Sequence, residues 1–308
     1  MSIEFSVQGS PGNPSAWLAL ARRADEGSVQ RLYCPDHPGT TLSPVPALAA
    51  AAAVTSRVRL GALVMNAGVR EPFDVAADAA SLDVISGGRA VLGLGAGHTP
   101  AEWEYYGRTR PGPAERVDRL IEVADAARRL LDGSTVTVRG KHVALDDAVL
   151  ECPRPVQSRV PLLVGGNNSR LLRYAGQHAD IVGLSGLGKT RADGHSHEVR
   201  WTPAEIERHL DAVRDGVEDG PGPQLEALVQ YVEITDDAER AAAALLDRFD
   251  VDSMTPAELL DAPFALIGTV TEIADHVRAQ ERRRGIGGYA VRADSIDALE
   301  RIQRALTQ

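Results

Sequence analysis

The sequence predicts a parallel α/β barrel of the TIM, (β/α)8, type, and three observations carry that prediction. Short β-rich apolar runs alternate with longer helical patterns from near the first residue, as parallel strands joined by helical crossovers require. Eight such runs can be counted. No internal repeat, low-complexity tract or linker divides the 308 residues, so one domain spanning 1–308 with small insertions is expected; a barrel of this kind routinely uses about 250 residues.

In chain order the strands are expected at residues 4–8, 30–34, 58–64, 90–95, 162–165, 181–184, 226–234 and 289–292. Helical patterns fall at 14–25, 44–55, 73–85, 114–131, 170–177, 203–216, 236–246, 270–284 and 296–306. Ser43-Pro44 has the chemistry of a helix start, and Ser86-Gly87-Gly88 that of a helix stop. Two features break the alternation. Residues 136–150 read as a hairpin turning at Gly140-Lys141, inserted before the fifth strand. Residues 185–200 are rich in glycine and charge without periodicity, which predicts a mobile loop over the barrel mouth.

Composition narrows the function. With 44% hydrophobic and 25% charged residues the chain can bury a large core, and a formal net charge of −10 argues against a nucleic-acid groove. Cys34 and Cys152 lie far apart without metal-ligand spacing, which fits a reducing compartment. Residues 1–11 lack the order of a signal peptide, and no apolar run approaches the ~20 residues that span a bilayer. A cytoplasmic protein that does not insert into membranes is expected. The apolar helix at 47–54 suggests an interface for a homodimer.

In a parallel barrel the chemistry gathers where strands end. After the second strand, Pro35 and Pro38 hold Asp36 and His37 beside the mouth, where His37 could carry protons. The alternative is that the pair caps a helix or ties down the loop. After the third strand, Leu63 and Val64 could pack on a flat ring while Asn66 bonds to it; equally, the run is a strand leaving the core. Gly93, Gly95 and Gly97 permit close backbone approach, but lack the third glycine and acidic residue of a dinucleotide fingerprint. Gly165, Gly166 and Asn167 lead into a helix N-terminus, which suits a phosphate or an ordinary capped turn. His195 and His197 lack a third ligand, so no metal site is expected. Serine-hydrolase, P-loop and zincin motifs are absent from the sequence.

Two blocks carry a resemblance: Ser81-Leu82-Asp83-Val84-Ile85-Ser86-Gly87-Gly88-Arg89 running into residues 92–97, and Pro153-Arg154-Pro155-Val156-Gln157 running into Pro161-Leu162-Leu163-Val164-Gly165-Gly166. In this order they resemble the luciferase-like monooxygenase superfamily, especially its subgroup using the deazaflavin coenzyme F420. The resemblance implies a cofactor ring against a bulge with a non-proline cis peptide at Leu63-Val64. It implies that Asn66, Gly95, Gly97, His98 and Glu102 line the ring and its chain, that Gly165, Gly166 and Asn167 hold the phosphate, and that His37 faces the reactive ring carbon with Asp36 orienting it. An F420-dependent oxidoreductase acting on a small molecule is therefore expected, supplied by a separate flavin or F420 reductase. The alternatives are an FMN-dependent monooxygenase using O2, and a cofactor-free barrel subunit.

Overall fold

The computed structural model describes residues 3–10, 12–191, 197–218 and 220–307. Its barrel strands, in order, are Glu4–Gln8, Arg31–Cys34, Arg59–Ala62, Ala90–Gly95, Leu162–Gly165, Ile181–Leu184, Gln224–Leu228 and Ile286–Arg292. All neighbouring pairs are parallel, and the ring closes where Glu4–Gln8 runs beside Gly288–Arg292. The expected (β/α)8 barrel is the observed one.

Helices cover its outside and open repeatedly on proline: Pro14, Pro44, Pro72, Pro113 and Pro203 each stand in a first turn, where a missing N–H costs nothing. The helix Pro72–Ser86 ends on Gly87 at φ 67°, as its glycines imply. Ser43 precedes the helix Pro44–Ala52 but makes no side-chain capping bond. That helix does not offer its apolar face outward, because Ala47, Leu48, Ala51 and Ala52 are buried in the core.

The third strand departs from the expected continuous run. It stops at Ala62, passes through a cis peptide at Leu63-Val64, and resumes as Met65–Asn66 beside Leu94 and Gly95. Space for Val64 comes from two glycines: a Cβ on Gly95 would lie 2.2 Å from it, and one on Gly165 2.8 Å. These glycines are required by packing against the bulge.

The seventh strand is also shorter than the pattern suggests. Tyr231–Ile234 separates from Gln224–Leu228 and pairs with Ala265–Gly268, a strand the sequence reading lacked. Alternation continues across the break, so periodicity alone cannot register it. The short helices Pro100–Tyr105 and Pro256–Asp261 went unread for the complementary reason, that six residues are too few to display a period.

Val136–Arg139 and Ala144–Ala148 form the expected hairpin. The segment 185–200, expected as a structureless loop, contains a second one, Leu187–Thr190 against His197–Val199. Residues 192–196, including His195, lie outside the described residues. Its base is held by tertiary bonds: Asn167 Nδ2 donates to Ser185 Oγ and the Leu187 carbonyl at 2.8 and 2.7 Å, and Trp201 Nε1 donates to the Ser185 carbonyl.

Inside the N-terminal end of the barrel, the fully buried Glu226 accepts from Ser6, Tyr33 and Arg31, so the floor is polar but satisfied. Among the described residues, no helix is long and apolar enough to cross a membrane, and Cys34 and Cys152 are both free.

Candidate active site

The ends of the second, third and fourth strands converge at the barrel mouth. Following the second strand, His37 presents a ring whose side chain is 37% exposed, and its Nδ1 lies 2.7 Å from Glu102 Oε1. Glu102, from the short helix after the fourth strand, is buried, and its other oxygen accepts from Asn66 Nδ2 at 2.7 Å. Asn66 Oδ1 accepts in turn from the Gly68 amide. The chain His37–Glu102–Asn66 is therefore continuous and locked. Gly97 permits it: at φ 72° it carries no Cβ, and one would fall 2.1 Å from Asn66 Oδ1.

Asp36 does something different from the orienting role the resemblance gave it. Its carboxylate takes both prongs of Arg70, at 2.7 and 2.8 Å, and the Asn66 amide at 3.0 Å. Asp36 is buried among these partners while His37 is partly exposed at the mouth. Asp36 reaches His37 only through its charge.

The hydrogen bond to Glu102 raises the His37 pKa above the ordinary histidine value; burial opposes the rise, and the charges of Glu102 and Asp36 assist it. His98 behaves oppositely. Burial, then the neighbouring His197 and His37, push its pKa down to about 4, so it is neutral near pH 7. Its ring stacks edge-on against both, with centroids 5.5 Å from His37 and 4.7 Å from His197. Three imidazoles thus share one wall, yet no group of histidine, cysteine or carboxylates among the described residues is arranged to hold a metal.

The residues after the fifth strand are only partly as expected. Gly165 and Gly166 lie at the strand end, but the polar atoms of Asn167 are taken up by Ser185, Leu187 and the Gly186 amide. The cap of the following helix is Asn168, which accepts from the amides of Arg170 and Leu171. Asn167 therefore ties the 187–199 hairpin to the barrel, and its side chain offers no free donor to a phosphate.

Sequence reasoning missed the cations of the mouth. Arg110 and Arg116 flank the turn into the helix Pro113–Leu131, and both Nε atoms are buried without a hydrogen-bond partner among the described residues. Burial lowers the pKa of each, to about 10 for Arg116, where the charge of Arg110 adds to the effect. Arg116 also donates to the Gly97 carbonyl. Two like charges without a carboxylate fit an anionic group. The available signal was their position, Arg110 in the loop after a barrel strand and Arg116 in the first turn of the helix Pro113–Leu131.

The two sequence blocks carrying the resemblance meet in space, though away from this chemistry. Asp83, fully buried, accepts from the Val156 and Gln157 amides at 2.7 and 2.9 Å and from Gln157 Nε2 at 2.6 Å. They form a clamp across the outside of the fourth and fifth strands.

The pattern of the family described as luciferase-like monooxygenase matches residues 2–196. A 4-hydroxyprotoasukamycin monooxygenase of Streptomyces nodosus subsp. asukaensis is 32% identical over 328 aligned residues, spanning 94% of this chain and 85% of that one. Among solved structures, the coenzyme F420-dependent tetrahydromethanopterin reductase from Methanopyrus kandleri superposes with a TM-score of 0.77 at 19% identity, covering 100% of this chain and 99% of that one. The oxygenating constituent of 3,6-diketocamphane monooxygenase from Pseudomonas putida, in complex with FMN, gives 0.73 at 19% identity, covering 99% and 98%. These two likenesses concern the fold. With the closed barrel, the family pattern and the 32% relative in agreement, the chain belongs to the luciferase-like monooxygenase family and is an oxidoreductase.

Proposed function

We propose that this oxidoreductase uses coenzyme F420 to exchange a hydride with a small organic substrate, and that His37 carries the accompanying proton. The observation that carries this reading is the His37–Glu102–Asn66 chain beside the Leu63-Val64 step. With Nδ1 engaged by Glu102, Nε2 is the atom left to give a proton to the substrate or take one from it. The raised pKa keeps a proton available near neutrality. When bound, the coenzyme supplies the hydride; the protein supplies position and a proton path. Leu63, Val64, Gly95 and Gly97 would border the ring, with Asn66 and Glu102 behind them. The uncompensated Arg110 and Arg116 would hold the phosphate, with the strand end at Gly165 and Gly166 as a further contact. The compatible neighbour is the F420-dependent reductase of the same fold.

A second reading, an FMN-dependent monooxygenase, is favoured by the name of the 32% identical relative. Titration with F420 and with FMN, followed by fluorescence in wild type and Asn66→Ala, separates the two. Preferential F420 binding, weakened in the variant because Glu102, and with it His37, loses its anchor at the mouth, supports the first reading. Preferential FMN binding with substrate-dependent O2 uptake supports the second. Binding of neither would leave a cofactor-free barrel subunit. We also propose a cytoplasmic enzyme, fed by a separate reductase. It would pair as a homodimer through the exposed patch of Val84, Ile85 and Val156.

A further inference from the structure

Arg292, the last residue of the eighth strand, is a half-buried cation. Its Nη1 donates to Gln8 Oε1 and its Nη2 to Gln230 Oε1, the latter at 2.9 Å. Both partners are neutral. The buried Arg31, Arg119 and Arg284 each meet a carboxylate, and the half-buried Arg89, though its acceptors are neutral, spends all its nitrogens on oxygens of the neighbouring loops, whereas Arg292 keeps donors unused. The only carboxylate bearing on Arg292 is the exposed Asp294, which makes no contact with it among the described residues. Burial without a counter-charge is costly, and two amide oxygens leave the positive charge uncompensated.

The group is also held in place and aimed. Gln8 Nε2 donates to the Leu63 carbonyl, so Gln8 links Arg292 directly to the cis step. Arg292 is in register with Gln8, and Gln8 with Tyr33 of the strand that His37 follows, so both groups lie at the same end of the barrel, where the Arg292 charge opposes His37 protonation. Counting around the closed sheet, the eighth strand stands four strands from the fourth in either direction. Arg292 and the Arg110/Arg116 pair, which follows the fourth strand, are therefore on opposite sides of the mouth. One phosphate cannot serve both.

We infer that Arg292 anchors a carboxylate of the substrate, so that the molecules turned over beside His37 are small organic acids. A guanidinium fork with unused donors matches the two oxygens of a carboxylate. This inference rests on the oxidoreductase reading above and names the substrate class for it.

The test titrates the coenzyme-free protein with benzoate and with pyruvate at constant ionic strength, following the His37 ring by NMR, with folding of each variant checked by circular dichroism. In wild type the response saturates and the His37 pKa moves up by about one unit, because the anion cancels the charge opposing its protonation. Arg292→Gln starts from a higher His37 pKa and does not respond; Arg292→Lys keeps part of the response. No saturation in wild type, or an equal response in Arg292→Gln, overturns the inference. Parallel F420 and FMN titrations separate the remaining outcomes. If Arg292→Gln loses coenzyme affinity and keeps the carboxylate response, the cation serves the coenzyme ring and the inference falls. If wild type binds benzoate through Arg292 but neither coenzyme, the coenzyme reading proposed above fails while the carboxylate site stands.

Discussion

Glutamine at position 102 would keep the shape of the site and remove its charge, which makes Glu102→Gln the sharpest probe of how His37 is tuned. The hydrogen bond between His37 Nδ1 and Glu102 Oε1 is 2.7 Å long, and the carboxylate is buried. A contact of this kind is worth about 1–3 pKa units when shielded from water. The His37 side chain is 37% exposed, so solvent screens part of the effect. We expect the His37 pKa to fall, because its largest upward cause, the Glu102 hydrogen bond, loses its charge. The stability consequence has a definite sign. A histidine whose folded pKa is raised contributes stability fully below its unfolded pKa of about 6.5 and loses it as pH rises through the folded value. Wild type should therefore exceed Glu102→Gln in stability by more at pH 5.5 than at pH 8.5. NMR titration of the His37 ring and urea unfolding at the two pH values measure both quantities. A His37 pKa that stays put in Glu102→Gln, or a stability gap independent of pH, would refute the reasoning.

Asp83→Ala should cost about 3 kcal/mol, because it takes the acceptor from the buried Ala90 amide and from the part-buried donors of Val156 and Gln157. Thermal melting should reveal that loss while coenzyme affinity of the folded protein is unchanged; the reverse pattern would make the motif part of the binding site. His98, neutral because burial brings its pKa to about 4, should make the fold acid-sensitive. Its folded pKa lies below the unfolded value, so stability is complete above about pH 6.5 and declines as pH falls toward about 4. His98→Asn should recover roughly 2 kcal/mol of the loss between pH 7.5 and 4.5, allowing for partial solvent screening, in urea melts. An unchanged loss would mean that the ring is protonated in the folded protein.

What the sequence determined by itself is the architecture and the outline of the site. Alternating short apolar runs and helical patterns report burial on a fixed period, and a sheet buried on both faces with helical crossovers follows from that period. The strand ends then mark the mouth; position left His37 and Asn66 as candidates beside ordinary structural readings, and the family resemblance singled them out. Tertiary structure decided which partners those residues have. Asp36 is the neighbour of His37 in sequence but is bound by Arg70, while Glu102, 65 residues away, arrives from another strand end. The glycines at 95 and 165 read as places of close approach, but that they make room for Val64 shows only in the packing. Asn167 looked like a phosphate donor and is consumed by a hairpin that local pattern did not reveal. The isolation of Arg110, Arg116 and Arg292 was equally illegible. A residue type announces its charge, but whether that charge is compensated depends on which distant side chains the closed barrel brings within reach.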